Sequence, residues 1–299
     1  MSEPFVIEVT DLRKQYDGVE ALRGLSLRVP AGSIYGFLGR NGAGKTTTLK
    51  ILLGMTRPTS GQVRVLGSPA DEPQASVDIR RRVGFVSDDK DLYDYMTVSE
   101  IIGFTKGFYS RWRADLEQRY LASFELPLDR KVKALSRGMR TKLALLLALC
   151  RGAELLVLDE PTSGLDPAVT EEVLQALVAH VASQEMTVFF SSHQIAEVDQ
   201  IADHVAIVDR GRAVVAGGLD DLRDAYRRIE LVFDADAPEA TFRTPGVERV
   251  RRKGRVLTVL SSAGSDRLVD EARALNPRSV DVTAVTLKDI FLETVVGEA

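Results

Sequence analysis

One stretch constrains this chain more than any other: Gly39-Arg40-Asn41-Gly42-Ala43-Gly44-Lys45-Thr46-Thr47. It fits the pattern G-x-x-x-x-G-K-[S/T], with a strand-like apolar run at 34–38 before it and a helix-like stretch at 46–53 after it. Glycines at this spacing let consecutive backbone N–H groups turn toward one anion, where side chains would block the approach. A helix that starts straight after the loop adds the positive end of its dipole. Gly39, Asn41, Gly42, Gly44, Lys45, Thr46 and Thr47 are therefore the candidate phosphate cradle. Lys45 supplies a cation for the outer phosphates, and the Thr46 hydroxyl is placed to ligate Mg²⁺. A site of this kind sits between a strand and a helix, so the chain is expected to be α/β.

A phosphate site that does chemistry needs a second half, which holds the metal and activates water. Four apolar residues, Leu155-Leu156-Val157-Leu158, lead into Asp159-Glu160-Pro161. They read as a buried strand with two carboxylates at its tip. Asp159 is placed to bind Mg²⁺ through water, and Glu160 to orient the attacking water or accept its proton. An Asp-Glu pair weighs little alone but much in a chain that already carries a phosphate loop.

Patterning supplies the frame. Alternating apolar residues mark strands at Phe5, Ile7 and Val9, at Leu25, Leu27 and Val29, and around 63–66. Further strands are expected at 83–86, 155–158, 188–191 and 205–208, and their alternation with helices implies a largely parallel sheet. Between them, Thr97 and Glu100 read as a helix-capping box. Trp112, Leu116, Tyr120 and Phe124 mark one face of a helix, and another helix starts near Ser136. The expected organisation is a nucleotide-binding α/β domain over 1–225 with an inserted helical subdomain at about 88–150, then a small α+β domain over 226–299. In the latter, 249–253 and 256–260 read as a hairpin about Gly254, 234–245 as an exposed loop, and Thr286 with Asp289 as a cap for the last helix.

Bulk properties narrow the function. The 299 residues carry a net charge of −4, which gives no electrostatic reason to expect nucleic acid. The one cysteine, Cys150, lies in an apolar run and reads as a buried helix residue. No segment has the roughly 20 apolar residues of a membrane span, and residues 1–10 lack the pattern of a signal peptide. Any membrane role is expected to come through a partner.

Over about residues 5–218, the loop, the Asp-Glu pair and three further segments together resemble the ATP-binding subunits of ABC transporters. Leu135-Ser136-Arg137-Gly138-Met139 resembles the family signature Leu-Ser-Gly-Gly-Gln, with Arg137 and Met139 as departures. The resemblance implies that Ser136 and Gly138 contact the γ-phosphate bound to the opposite subunit; Ser136 is also a good helix N-cap, and both readings hold together. Ser163-Gly164-Leu165-Asp166 resembles the D-loop, and Ser191-Ser192-His193 the switch segment, in which His193 would sense the γ-phosphate. Tyr16 stands where the family stacks an aromatic ring on adenine. Asp88 stands at the usual Q-loop glutamine position, where a carboxylate can bind Mg²⁺.

The fold implied is a P-loop NTPase domain of ABC type. The implied activity is ATP hydrolysis with ATP and Mg²⁺, catalysed through Lys45, Glu160 and His193. A dimer of ATP-binding subunits, homomeric or heteromeric, would power a separate multi-span membrane permease chain of the bacterial exporter kind, from the cytoplasmic face of the membrane. The helical region at 88–125 is the expected docking surface, with Tyr93, Tyr95 and Phe108 as candidate contacts, the core being the favoured place for Phe108. Two rivals share the phosphate loop. One is a soluble ATP-driven clamp on nucleic acid or ribosomes; the other is a small-molecule kinase.

Overall fold

The structure, a computed structural model, describes residues 5–184, 186–263 and 265–295. Residues 1–4 and 296–299, at the ends of the two expected domains, lie outside the described residues. The chain forms two compact units that divide between Ala216 and Gly217.

The first unit begins with β1 (Phe5–Tyr16), β2 (Val19–Pro30), β3 (Ile34–Gly39), α1 (Lys45–Leu52), β4 (Ser60–Val65) and β5 (Ser68–Pro69). It continues through α2 (Pro73–Arg82), β6 (Val83–Val86), α3 (Val98–Lys106), α4 (Ala114–Ser123) and α5 (Arg137–Leu149). It closes with β7 (Leu155–Asp159), α6 (Pro167–Gln184), β8 (Thr187–Ser192), α7 (Ile195–Ile201), β9 (His204–Asp209) and β10 (Arg212–Gly218).

Two sheets divide these strands, and their burial patterns explain which goes where. β3, β7 and β8 are buried at every position. They belong to a six-stranded sheet of order β10-β9-β3-β8-β7-β6, in which β3 pairs in parallel with β8 and β9, and β7 with β6 and β8. Strands covered on both faces read as continuous apolar runs, which suits a parallel sheet between helices. The expected parallel sheet is thus present, with β6, β7, β8 and β9 as the sequence suggested and β3 among them. The strands with alternating patterns form a separate sheet of order β2-β1-β4-β5, whose pairs at β1 are antiparallel. Ile7 lies between Val29 and Val65, and Val9 between Leu27 and Val63. Alternation means one buried face, which an antiparallel sheet can leave half-solvated.

The helical region is held by its caps. The Thr97 side chain accepts from Glu100 N at 3.2 Å while the Glu100 carboxylate accepts from Thr97 N at 2.7 Å, completing the box at the start of α3. Leu116, Tyr120 and Phe124 are buried along one face of α4, as expected. Trp112 is not on that helix. The backbone N–H of Arg113 is tied to Cys150 O at 2.7 Å, which delays the helix start, and Trp112 donates from Nε1 to Glu117 at 2.6 Å. Phe108 also departs from expectation: it follows the last turn of α3 and is 69% exposed rather than in the core. Cys150 is buried, and burial pushes its thiol up to about 12.

The second unit contains α8 (Leu219–Ala225), β11 (Arg227–Val232), β12 (Val247–Lys253), β13 (Val256–Ser261), α9 (Ser265–Arg273), β14 (Ser279–Ala284) and α10 (Leu287–Val295). Helix α8 goes with this unit, whereas the sequence reading placed it with the first. The sheet order is β12-β13-β11-β14 with antiparallel pairs, and Ile229, Leu231, Leu257, Val259, Leu268 and Ala272 form its core. The turn at Gly254 has φ 55°, which suits glycine. The segment 234–245 is not simply an exposed loop. Ala237 and Thr244 are buried, because Ala237 N bonds Gly254 O at 2.8 Å and Thr244 Oγ1 donates to Glu271 at 2.8 Å. Asp289 N bonds the Thr286 hydroxyl, and Thr286 N bonds the Asp289 carboxylate, capping α10 as expected.

A histidine that the sequence pattern did not single out joins α4 to α6. His180 Nδ1 and Tyr120 Oη lie 2.9 Å apart, and both side chains are buried. Burial, with Arg119 and Arg113 adding repulsion, holds the His180 pKa down at about 4. The unfolded chain takes up a proton near pH 6.5, so stability falls as pH drops from 6.5 toward 4 and levels off below. The loss expected at pH 5 is on the order of 1–2 kcal/mol. Urea unfolding of the parent and of His180→Gln at pH 7 and pH 5 checks this; the variant should lose less between the two.

Candidate functional site

Parallel register brings the site together. Leu38 on β3 pairs with Ser192 on β8, Asp159 on β7 pairs with Ser191, and Gly39 pairs with Val208 on β9. Four neighbouring strands therefore end at one level, and their following loops meet there. In an open α/β sheet this carboxyl edge is where ligands bind.

The 39–44 loop leaves β3 in a shape that needs its glycines. Gly42 has φ 82° and Gly44 φ 106°. At Gly44 even a Cβ would lie 2.8 Å from Ala21 O, so the loop packs directly on β2. Gly211 N donates to Ala43 O at 3.0 Å and fixes the far side. Helix α1 starts at Lys45 without a side-chain cap and without an acidic residue in its first turn. Its first N–H donors and its dipole thus suit an anion. Asn41 and Thr46 are exposed and Thr47 half-buried, so the loop is open to a ligand.

Lys45 is nearly buried. Its ammonium donates to Gly39 O at 2.7 Å and Arg40 O at 3.3 Å, and lies 3.1 Å from Glu160 Oε1. Burying an ammonium costs several kcal/mol unless it is paired, and the carboxylate with two carbonyls provides the pairing. The second Glu160 oxygen, Oε2, lies 2.7 Å from His193 Nδ1 and accepts from His193 N at 3.4 Å. Sequence-distant Lys45, Glu160 and His193 are thereby one cluster.

Asp159 is buried at the end of β7, and its Oδ1 accepts from Ser191 Oγ at 2.6 Å. The same hydroxyl accepts from Glu160 N at 3.0 Å. Ser191 thus orients both acids at once, a role the sequence did not reveal because serine at a strand end carries no pattern. Next to it, Ser192 donates to the buried Glu197 at 2.7 Å. Among the described residues no group of three or more His, Cys, Asp or Glu side chains could hold a metal. A buried carboxylate and an exposed hydroxyl, Asp159 and Thr46, nevertheless fit Mg²⁺, which keeps waters and phosphate oxygens and takes few protein ligands.

The other expected residues stand as follows. Asp88 is 50% exposed, and its carboxylate lies 3.7 Å from Lys90 Nζ rather than on Asp159. Lys90 itself is buried and donates to Glu160 O at 3.0 Å; nothing in the sequence marked it. Ser136 caps α5, accepting from Met139 N at 3.2 Å. Gly138 packs on Val169, and a Cβ at Gly164 would overlap the Arg137 guanidinium, so the signature-like segment rests on the start of α6 in the same chain. Asp166 caps α6 through Ala168 N and Val169 N, both at 3.1 Å. Tyr16 ends β1 and is exposed, with the Lys14 ammonium 4.6 Å from its ring centre.

Comparison with known proteins agrees with this geometry. The family model described as ABC transporter matches residues 22–163. The ABC transporter ATP-binding protein YtrB of Bacillus subtilis (strain 168) is 26% identical over 96% of this chain and 97% of its own. The Nod factor export ATP-binding protein I of Cupriavidus metallidurans is 32% identical over 84% of this chain and 85% of its own. The solved structure of cbiO1 from Clostridium perfringens, described as part of the ABC transporter complex cbiONQ, superposes with a TM-score of 0.64. It is 26% identical and covers 72% of this chain and 89% of its own. The chain belongs to the ABC transporter family of ATP-binding proteins.

Ser191→Ala removes the partner of Asp159 and of Glu160 N together. Leaving buried polar groups unpaired costs about 1–3 kcal/mol. A urea titration should register that loss, and a midpoint unchanged from the parent would show that the bridge carries no weight.

Proposed function

We propose that this ATP-binding subunit hydrolyses ATP to drive a separate, multi-span membrane permease of the exporter kind. The observation that carries the reading is the cluster of Lys45, Glu160 and His193 beside the glycine loop. Lys45 gives its cation to the outer phosphates and releases Glu160, whose carboxylate then orients the attacking water and accepts its proton. His193, bonded to the same carboxylate, senses the γ-phosphate. Thr46 and Asp159 hold Mg²⁺, which when bound neutralises phosphate charge; Asp88, turned to Lys90, is at most an outer contributor. Tyr16 stacks on adenine.

Ser136 and Gly138 open the N-terminus of α5, where N–H donors and dipole favour an anion. They complete the site by contacting ATP held by a second subunit, identical or closely related. ATP bound between two such faces favours the closed pair by its differential affinity for that state. Losing the γ-phosphate weakens the closed pair, and the opening moves the permease.

Among the described residues no helix is long and apolar enough to cross a membrane; in the proposed assembly the permease spans it and this subunit docks on its cytoplasmic side. Four exposed aromatics supply the docking face. Tyr95, Tyr93, Phe104 and Phe108 form a continuous ladder with ring centres 5.9, 5.6 and 5.0 Å apart. Exposed aromatics in contact with one another mark interaction sites rather than scatter. Beyond Phe108 lies a cleft of about 430 Å³ lined by Arg81, Arg82, Arg111 and Arg151 together with Glu154, which already pairs with Arg82 and Arg111. The relative named for Nod factor export supports the export direction.

Glu160→Gln should lower ATP turnover by at least about 100-fold while trapping an ATP-bound dimer, read by phosphate release and by sizing with ATP. Parental turnover would remove Glu160 from the mechanism. Lys45→Ala should weaken ATP binding by at least tenfold, about 1.4 kcal/mol, in a calorimetric titration. Tyr93→Ala with Phe108→Ala should abolish co-purification of a multi-span protein from detergent-solubilised membranes while leaving turnover of the isolated subunit within about twofold. Co-purification undiminished would move the docking face elsewhere.

A further inference from the structure

Glu160 carries its carboxylate on a strained backbone. Its φ is 47°, a left-handed conformation that is costly for a non-glycine residue and persists only where its surroundings hold it. Three polar contacts hold it. Ser191 Oγ accepts from its N–H at 3.0 Å. Ser163 N donates to its carbonyl at 3.2 Å. Lys90 Nζ donates to the same carbonyl at 3.0 Å. The first two come from β8 and from the turn after Glu160, both within the site itself. The third comes from the loop between β6 and α3, which is otherwise tied to the helical region.

Lys90 is an unusual choice for a mere spacer. It is 5% exposed, and it too has a left-handed backbone, with φ 47°. Its ammonium is buried beside one carbonyl, with Asp88 at 3.7 Å as its ion partner. Burial, the largest cause, and Arg137 hold its pKa down, while Asp88 and Asp159 favour the charged form. A buried ammonium is costly unless it is paired and hydrogen-bonded. Here the partner is the peptide that aims the water-activating carboxylate.

We infer that Lys90 is a positioning residue for ATP hydrolysis: its ammonium clamps the Glu160 carbonyl, holds the left-handed turn and thereby aims the Glu160 carboxylate. The inference rests on Glu160 being the group that activates water. It goes further by making turnover depend on a side chain that acts through the Glu160 peptide rather than through its carboxylate. It also links the loop bearing Tyr93 and Tyr95 to the catalytic peptide, because Lys90 stands three residues before Tyr93 and hydrogen-bonds Glu160 O. Movement of that loop against a partner would pull on Glu160 before it touched ATP.

Lys90→Met keeps the length and loses the donor. Expected is a fall in kcat of about 10- to 100-fold with KM for ATP within about threefold, since the lost interaction serves the transition state. Lys90→Arg keeps a cationic donor and should recover at least about threefold over Lys90→Met. The double variant Lys90→Met/Glu160→Gln should still form the ATP-bound dimer that Glu160→Gln forms, because the clamp acts only through the carboxylate already removed. A kcat within twofold of the parent in Lys90→Met overturns the inference. So does an equal loss in the Met and Arg variants, or loss of ATP affinity in the double variant, which would make Lys90 a nucleotide or folding residue. If Glu160→Gln alone retains parental turnover, it is the reading of Glu160 that fails, and that result separates the two.

Discussion

The ion pair between Lys45 and Glu160 is the interaction on which the site is organised. An ammonium and a carboxylate, both nearly buried, lie 3.1 Å apart on loops that leave two different strands. Either charge alone at that depth would cost several kcal/mol. Together they cross-link the phosphate loop to the end of β7. In the proposed mechanism a polyphosphate offers Lys45 a stronger anion than one carboxylate and so frees Glu160.

The pair can form only because β3, β8 and β7 are parallel and in register. Parallel strands send their following loops to the same edge, and the pairing of Leu38 with Ser192 and of Asp159 with Ser191 puts those loops at one height. Ser191, on the strand between, converts this alignment into orientation by bonding both Asp159 and Glu160 N. The antiparallel sheet has a different task. Strand β2 supplies Ala21 and Leu22, against which Gly44 closes the glycine loop.

The helical region meets this edge at two points. Lys90 reaches Glu160 from one loop, and Arg137 lies on Gly164 from the start of α5. An ion pair between Arg140 and Asp94 joins the two sides of the region to each other. The exposed aromatic ladder and Lys90 thus lie on one stretch of the chain, between Lys90 and Phe108.

The sequence by itself determined the phosphate loop, the carboxylate pair and the capped helix starts at Thr97, Ser136 and Thr286, because each depends on local chemistry: glycines that permit φ of 82° and 106°, an apolar strand that ends in acids, a Thr-Glu box that caps its own backbone. Its fully apolar runs and its alternating runs also carried the distinction between parallel and antiparallel strands, although which strands shared a sheet was not readable from either. Tertiary structure decided what depends on distance in space. It exposed Phe108 at a helix end, buried Ala237 under a hairpin, turned Asp88 toward Lys90, and paired His180 with Tyr120. It also placed Lys90, 70 residues from Glu160 in the chain, on that residue's carbonyl. A lysine among acids in a loop looks like solvated surface, and only the folded packing, which removes water from its ammonium and leaves a strained peptide as its partner, gives it a role.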